Sequence, residues 1–265
     1  INMLSILGIP FDENSSFLKG SAKAPQKIIE AFSSDSSNAY SENGFNCRNT
    51  EKIKILDNLE LPYGELAIEK IRTIIKEELE KSNHVLSIGG DHSITFPIIE
   101  AFSAKYDSLN ILHFDAHPDL YDDFDNNPFS HASPFARIME NNLVKRLVQI
   151  GIRTLNDHQI DQVNRFGVEV IEMKDFDSDL VLQFIGPVYI SLDLDGLDPA
   201  YAPGVSHPEP GGLSTRNIIN IIHSLKGEVV GGDIVEYNPD KDINDITATT
   251  GAKLMKELIG KIMKS

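Results

Sequence analysis

Short apolar, β-branched runs recur along the chain, with longer amphipathic segments between them. The runs fall at residues 3–9, 53–56, 84–88, 110–114, 146–150, 167–171, 187–192 and 228–235. Most are continuously apolar rather than alternating, the pattern of strands buried on both faces. Helices are predicted between them at 25–32, 64–81, 95–106, 134–141, 155–165, 175–184, 214–224 and 245–263. The period is plainest in 64–81, where Leu66, Ile68, Ile71, Ile74, Ile75 and Leu79 lie among Glu and Lys at helical spacing. Ser214, with Asn217 three residues on, predicts an N-cap. Regular alternation of this kind predicts one α/β domain over residues 1–265, built around a parallel sheet of about eight strands. No internal repeat is visible. Residues 33–46 (SSDSSNAYSENGFN) read as a mobile surface loop. Two other polar stretches, 118–133 and 195–214, directly follow buried strands, and ligands of open α/β sheets bind at the carboxyl ends of strands.

Composition narrows the function classes. The chain has 265 residues, 41% hydrophobic and 24% charged, which suits a globular domain with a sizeable core. Asp and Glu number 40 against 24 Lys and Arg, a formal charge of −16 that repels phosphate backbones and argues against nucleic-acid partners. No apolar run approaches the ~18 residues of a membrane helix, so no membrane partner is expected. The opening INMLSILGIPF lacks a basic segment and a small-residue cleavage site and reads as a strand rather than a signal peptide. The single cysteine, Cys47, precludes an intrachain disulfide and a cysteine-built zinc site, and predicts a reducing, cytoplasmic setting.

Three clusters at predicted strand ends carry candidate chemistry. In HFDAHPD, Asp115, His117 and Asp119 follow one another at i, i+2 and i+4, a spacing that shares one face of extended backbone. A polar loop with an Asx turn is the plainer alternative. In SLDLDGLDP, Asp193 and Asp195 end an apolar strand; paired carboxylates repel unless a cation lies between them. Asp198, before Pro199, reads as a turn former. In IGGDHS, His92 is a candidate ligand and Asp91 a candidate partner holding its tautomer. A phosphate-cradling loop is the rival, without the G-x-G-x-x-G or G-K-[ST] pattern. Together the clusters supply four carboxylates and two imidazoles, a set that balances two divalent cations and suits manganese better than zinc. Two such cations can deprotonate a shared water.

The motifs GGDHS, DAHPD, SHAS, SLDLDGLDPAYAPG, PEPGGLS and GDIVEYNP, in this order, resemble the ureohydrolase family of arginase, agmatinase and guanidinobutyrase. NSSFLKG, SHASPFARIME and APGVSHPEPGG are similar to the plant-type arginase subgroup. The resemblance implies a three-layer α/β/α fold with an eight-stranded parallel sheet, two Mn²⁺ per chain and a homo-oligomer, trimeric or hexameric. It implies that His92, Asp115, Asp119 and Asp193 hold one manganese. The other would be held by Asp115, His117, Asp193 and Asp195, with Asp115 and Asp193 bridging. It implies proton shuttling by His131 and binding of a small cationic guanidino substrate at Glu236 and His131, with Asp119 and His131 moving a proton to the leaving amine.

The substrate is the narrow point. The animal arginase pattern has an Asn two residues after the third ligand; here the run is Asp119-Leu120-Tyr121. His207 replaces the Gly-Thr-type pattern of most agmatinases and points to the plant-type subgroup. Arg137 reads equally as a carboxylate partner or a helix cap. On these features the expected reaction is agmatine to putrescine and urea. Arginine to ornithine and urea is the alternative, followed by guanidinobutyrate and guanidine. Outside this class stand a metallophosphoesterase, whose D-x-H motif precedes its G-N-H-[DE] motif where here the order is reversed, and a non-catalytic metal-binding homologue.

Overall fold

The computed structural model describes residues 3–82 and 84–265. The strands are β1 (Leu4–Ile9), β2 (Ile53–Ile55), β3 (His84–Gly89), β4 (Asn110–Phe114), β5 (Arg146–Ile152), β6 (Glu169–Glu172), β7 (Gln183–Asp193) and β8 (Lys226–Val235). The helices are α1 (Ala24–Ser33), α2 (Glu65–Lys81), α3 (Thr95–Lys105), α4 (Pro134–Glu140), α5 (Asp157–Phe166), α6 (Thr215–Ser224) and α7 (Ile246–Lys264). The strands form one eight-stranded sheet in the order β2-β1-β3-β8-β7-β4-β5-β6, and every pairing is parallel.

Helices cover both faces, which is why the strands are continuously apolar. In β1, Leu4 and Ile6 join the core under α1, α6 and α7, packing with Ile28, Ile222 and Leu258. Leu7 and Ile9, on the opposite face, join the core under α2, α3 and α4 with Ile71, Phe102 and Phe135. The expected three-layer α/β/α architecture is therefore observed. The Ser214 hydroxyl caps α6 by accepting from Asn217 N, and the Asn217 side chain returns the bond to Ser214 N.

Two sequence expectations differ from the structure. The helix expected at 175–184 is absent; a short 3₁₀ turn at Met173–Asp175 leads into an irregular segment and then β7. The Asp177 carboxylate accepts from Asp179 N and so offers the backbone a turn in place of a helix. Phe176 and Leu180, which mimic a helical stripe, pack individually on the core. Residues 33–46, read as a mobile surface loop, lie against α7. Asn43 Nδ2 donates to Gly260 O, Lys256 donates to Asn38 O, and the buried Glu257 carboxylate accepts from Glu42 N. No described helix is long and apolar enough to cross a membrane.

Candidate metal centre and cleft

The carboxyl ends of the four central strands, β3, β8, β7 and β4, open into a cleft of about 300 Å³. His117, Asp119, His131, Asp193, Asp195 and Glu236 line it, with Ser16, Tyr121 and His207.

His92 follows β3 through a turn that only glycine permits. A Cβ on Gly90 would lie 1.8 Å from Phe11 O, where the ends of β1 and β3 pack together. The imidazole is fully buried, and its Nδ1 lies 3.2 Å from Asp115 Oδ2 and 3.1 Å from both Asp119 Oδ2 and Asp193 Oδ2. Nε2 is 2.9 Å from Ser191 Oγ, which spends its own proton on Asp233 Oδ1 at 2.7 Å. Ser191 therefore accepts from Nε2–H, and a neutral ring presents its Nδ1 lone pair to three carboxylate oxygens. Nδ1 is a buried nitrogen that makes no hydrogen bond among the described residues. Such an arrangement calls for a cation or a proton at its centre, and the donor set fits a hard divalent metal. Asp233 is itself anchored by Tyr189 and Thr95. We expect Ser191→Ala to weaken manganese affinity by ~10–100-fold, the usual cost of losing the partner of a ligating histidine; isothermal titration of the chelated protein measures it.

Asp91, expected to hold the tautomer of His92, does something else. Its carboxylate accepts from Asn14 N at 3.0 Å and from Ser93 N at 3.0 Å, and so ties the loop after β1 to the site.

The carboxylates converge through turns rather than through a continuing pleat. After β4 the chain bends, with His117 N donating to Asp115 Oδ1 at 2.6 Å, and Asp119 adopts a left-handed conformation (φ 50°). At the end of β7, Asp195 N donates to Asp193 Oδ1 at 2.7 Å in a 3₁₀ turn. Two ligand groups built on these turns result: His92, Asp115, Asp119 and Asp193, and beside them Asp115, His117 and Asp195; a third grouping among the described residues, His92, His113 and Asp115, is tied up by the bond between His113 and Asp115. Asp115 is common to both, whereas Asp193 joins the first alone. Asp115 Oδ2 also lies 2.8 Å from His113 Nε2. Gln149 Nε2 donates to Pro118 O and faces His113 Nδ1 at 3.0 Å, so His113 carries its proton on Nε2 and donates it to Asp115. Burial pushes His113 down to about 4, against the pull of Asp115, which keeps it neutral.

Charge inside the site is balanced by protons. Burial, followed by the Asp115 charge, pushes Asp119 up to about 7. Burial also pushes Asp195 up to about 6. Burial alone would lower His92, but Asp115, Asp119 and Asp193 hold it well above its ordinary value. With no cation between them, the same carboxylates favour a proton on His92 Nδ1, on the lone pair that a metal ion would take.

Glu236, the first residue after β8, is left-handed (φ 66°), with its N–H donating to Gly90 O. Its Oε1 accepts from His92 N at 2.8 Å and lies 2.7 Å from His131 Nδ1. The ring's other nitrogen, Nε2, faces Ser16. Burial opposes protonation of His131, but Glu236 outweighs it and lifts the ring to about 9. Arg137 does not line the cleft; it bonds Pro128 O and pairs with Glu140. Asp198 forms a turn, accepting from Ala200 N, Gly211 N and Gly212 N.

A family model described as Arginase family matches residues 2–260. The chain belongs to the arginase family. It is 45% identical over 284 residues to the mitochondrial arginase of Medicago truncatula, covering 98% of this chain and 82% of that one. A solved structure of arginase from Medicago truncatula superposes with a TM-score of 0.93 at 43% identity, covering 98% of this chain and 87% of that one. The N(1)-aminopropylagmatine ureohydrolase of Thermus thermophilus is 33% identical over 267 residues, 96% of this chain and 88% of the relative. Membership makes the chain an amidinohydrolase, of a family that acts on guanidino substrates, and sets aside the metallophosphoesterase alternative. It also corrects the cytoplasmic expectation, because the Medicago relative is mitochondrial. A lone cysteine argues only for a reducing compartment and does not say which one.

The supporting residues Ser191, Asp233, His113 and Gln149 escaped the sequence reading. Their signal was present: each is a fully buried polar residue between apolar or glycine neighbours in a strand, where a polar side chain needs a partner.

Proposed function

We propose that this arginase-family chain hydrolyses L-arginine to ornithine and urea with two manganese ions. The observation that carries the metal reading is the His92 Nδ1 lone pair enclosed by three carboxylates. In the proposal His92, Asp115, Asp119 and Asp193 hold one ion. Asp115, His117 and Asp195 would hold the other, and Asp193, which lies with the first group alone, would have to reach across to join it as a second shared ligand. When bound, the ions supply hydroxide near neutral pH and offset the carboxylate charge.

The remaining steps belong to the chain. Glu236 Oε1 is taken by His92 N and His131, which leaves Oε2 to accept a charge-assisted bond from the guanidinium. His131 Nδ1–H is held by Glu236, so Nε2 is the nitrogen that protonates the leaving amine. Asp119 lines the cleft beside His131 and is the second residue proposed to move that proton. A trimer or hexamer completes the proposal.

Identity of 45% to a plant arginase, against 33% to the aminopropylagmatine enzyme, supports arginine in place of the agmatine that the motifs favoured. The test is urea release with manganese from arginine, agmatine, guanidinobutyrate and guanidine. Arginine is expected to show the highest kcat/KM by at least ~10-fold, about 1.4 kcal/mol of discrimination. A higher value for agmatine overturns the substrate assignment.

A further inference from the structure

The loop joining β1 to α1 reaches over the cleft and is fixed there at several points. Asn14 N donates to Asp91 Oδ2 at 3.0 Å, His131 N donates to Asn14 O at 3.1 Å, and Asn127 Nδ2 donates to Asn14 Oδ1 at 3.1 Å. Two residues on, Ser16 is exposed and lines the cleft. Its backbone N–H donates to His131 Nε2 at 3.1 Å, and its hydroxyl lies 2.8 Å from the same nitrogen. His131 is 8% exposed. The ring thus spans from Glu236 inside the site to one solvent-facing hydroxyl.

We propose that Ser16 is the outer member of a proton relay, its hydroxyl passing protons between solvent and His131 Nε2 while its amide holds the ring in register whenever Nε2 is bare. The inference rests on the proposed function. The two groups of Ser16 divide the work by their chemistry. An amide N–H only donates, so it fits a bare Nε2 alone. A hydroxyl rotates, donating to a bare Nε2 and accepting from a protonated one. It is the partner that serves both states of the ring, and it belongs to an exposed residue.

The step balances. The Ser16 O–H bond breaks as Nε2 gains a proton, and Oγ regains one from water. The Nε2–H bond then breaks as the leaving amine gains that proton. Solvent supplies one proton and recovers the one lost when water becomes the nucleophile. Ser16, His131 and Glu236 also have the order of an acyl-transfer triad, but the Ser16 amide is spent on the ring, and relay is the use that the guanidino chemistry requires.

The test uses the full chain loaded with manganese and the guanidino substrate it turns over best. We expect Ser16→Ala to lower kcat about 10-fold, a part of what a general acid contributes. KM should stay within twofold and manganese content should not change. Added imidazole should restore the variant's rate in proportion to its concentration while leaving the wild type unmoved. Ser16→Thr, which keeps the hydroxyl, should recover most of the activity. A Ser16→Ala kcat within twofold of wild type overturns the relay. So does a loss that neither imidazole nor Thr repairs, since that marks a merely structural role. Absence of urea from every guanidino compound with the wild type overturns the proposed function and the relay together, whereas an active wild type with an unaffected variant overturns the relay alone.

Discussion

Asp115→Ala lowers kcat/KM by on the order of 10³-fold or more and removes both manganese ions, because both ligand groups share this one carboxylate. The loss goes beyond one donor. Asp115 also accepts from His113 and from His117 N, so its removal leaves a buried imidazole without its acceptor and frees the turn that carries His117 and Asp119. His131→Asn is the contrast. His131 belongs to neither ligand group, so the variant keeps its metal and loses kcat alone, by ~10²-fold for a missing general acid. Metal content by elemental analysis, beside steady-state kinetics, separates the two. Two ions retained in Asp115→Ala, or manganese lost from His131→Asn, reverses the division of roles.

Chelated protein is less stable at pH 8 than at pH 5.5, and manganese restores more stability at pH 8. Asp119 is raised to about 7 and Asp195 to about 6, against about 4 for an unfolded carboxyl. Asp193 is raised too, by burial and then by Asp115 and Asp195. The native state therefore keeps protons that the unfolded chain has already lost. Their stabilising contribution is complete below about pH 4 and is lost as pH rises through about 6 and 7. His92, also raised, changes stability in the same direction. Asp115 is held low by His113, His117 and His92 despite its burial; its contribution is present above about pH 4 and flat across this window. Manganese competes with these protons, so it binds best where the carboxylates are bare. At ~100 times its Kd it contributes ~2.7 kcal/mol, a Tm rise of about 5 °C or more for a chain of this size. Thermal melts at the two pH values, with and without manganese, check this; an equal or larger rise at pH 5.5 contradicts it.

Much of the site was legible because its ligand types sit in short motifs directly after apolar runs, where a parallel sheet gathers its loops. Asp115, His117, Asp119, Asp193 and Asp195 were singled out by a period-two argument, yet the chain is not extended where it brings them together. Side-chain-to-backbone bonds inside the DAH and DLD runs turn it instead. The residues do converge, but by another geometry, because alternation along a strand describes the pleat and not the chain beyond it. The helix expected at 175–184 failed for a related reason: apolar spacing in so short a stretch fits individually packed side chains as well as a helical face.

By itself the sequence determined the local elements and the chemical inventory. Continuous apolar runs have to be buried on both sides, amphipathic segments have to cover them, and four carboxylates with two imidazoles have to meet a positive charge. Only the tertiary structure decided which strands are neighbours. The order β3-β8-β7-β4 sets His92 beside Glu236, 144 positions away along the chain. The same order puts Ser191 of β7 against Asp233 of β8, and the loop after β1 brings Ser16 to His131. It also holds Asp119 and Glu236 in left-handed backbone that neither residue prefers. Strand order and such strained positions arise from long-range pairing and close packing, and no local window of sequence contains them.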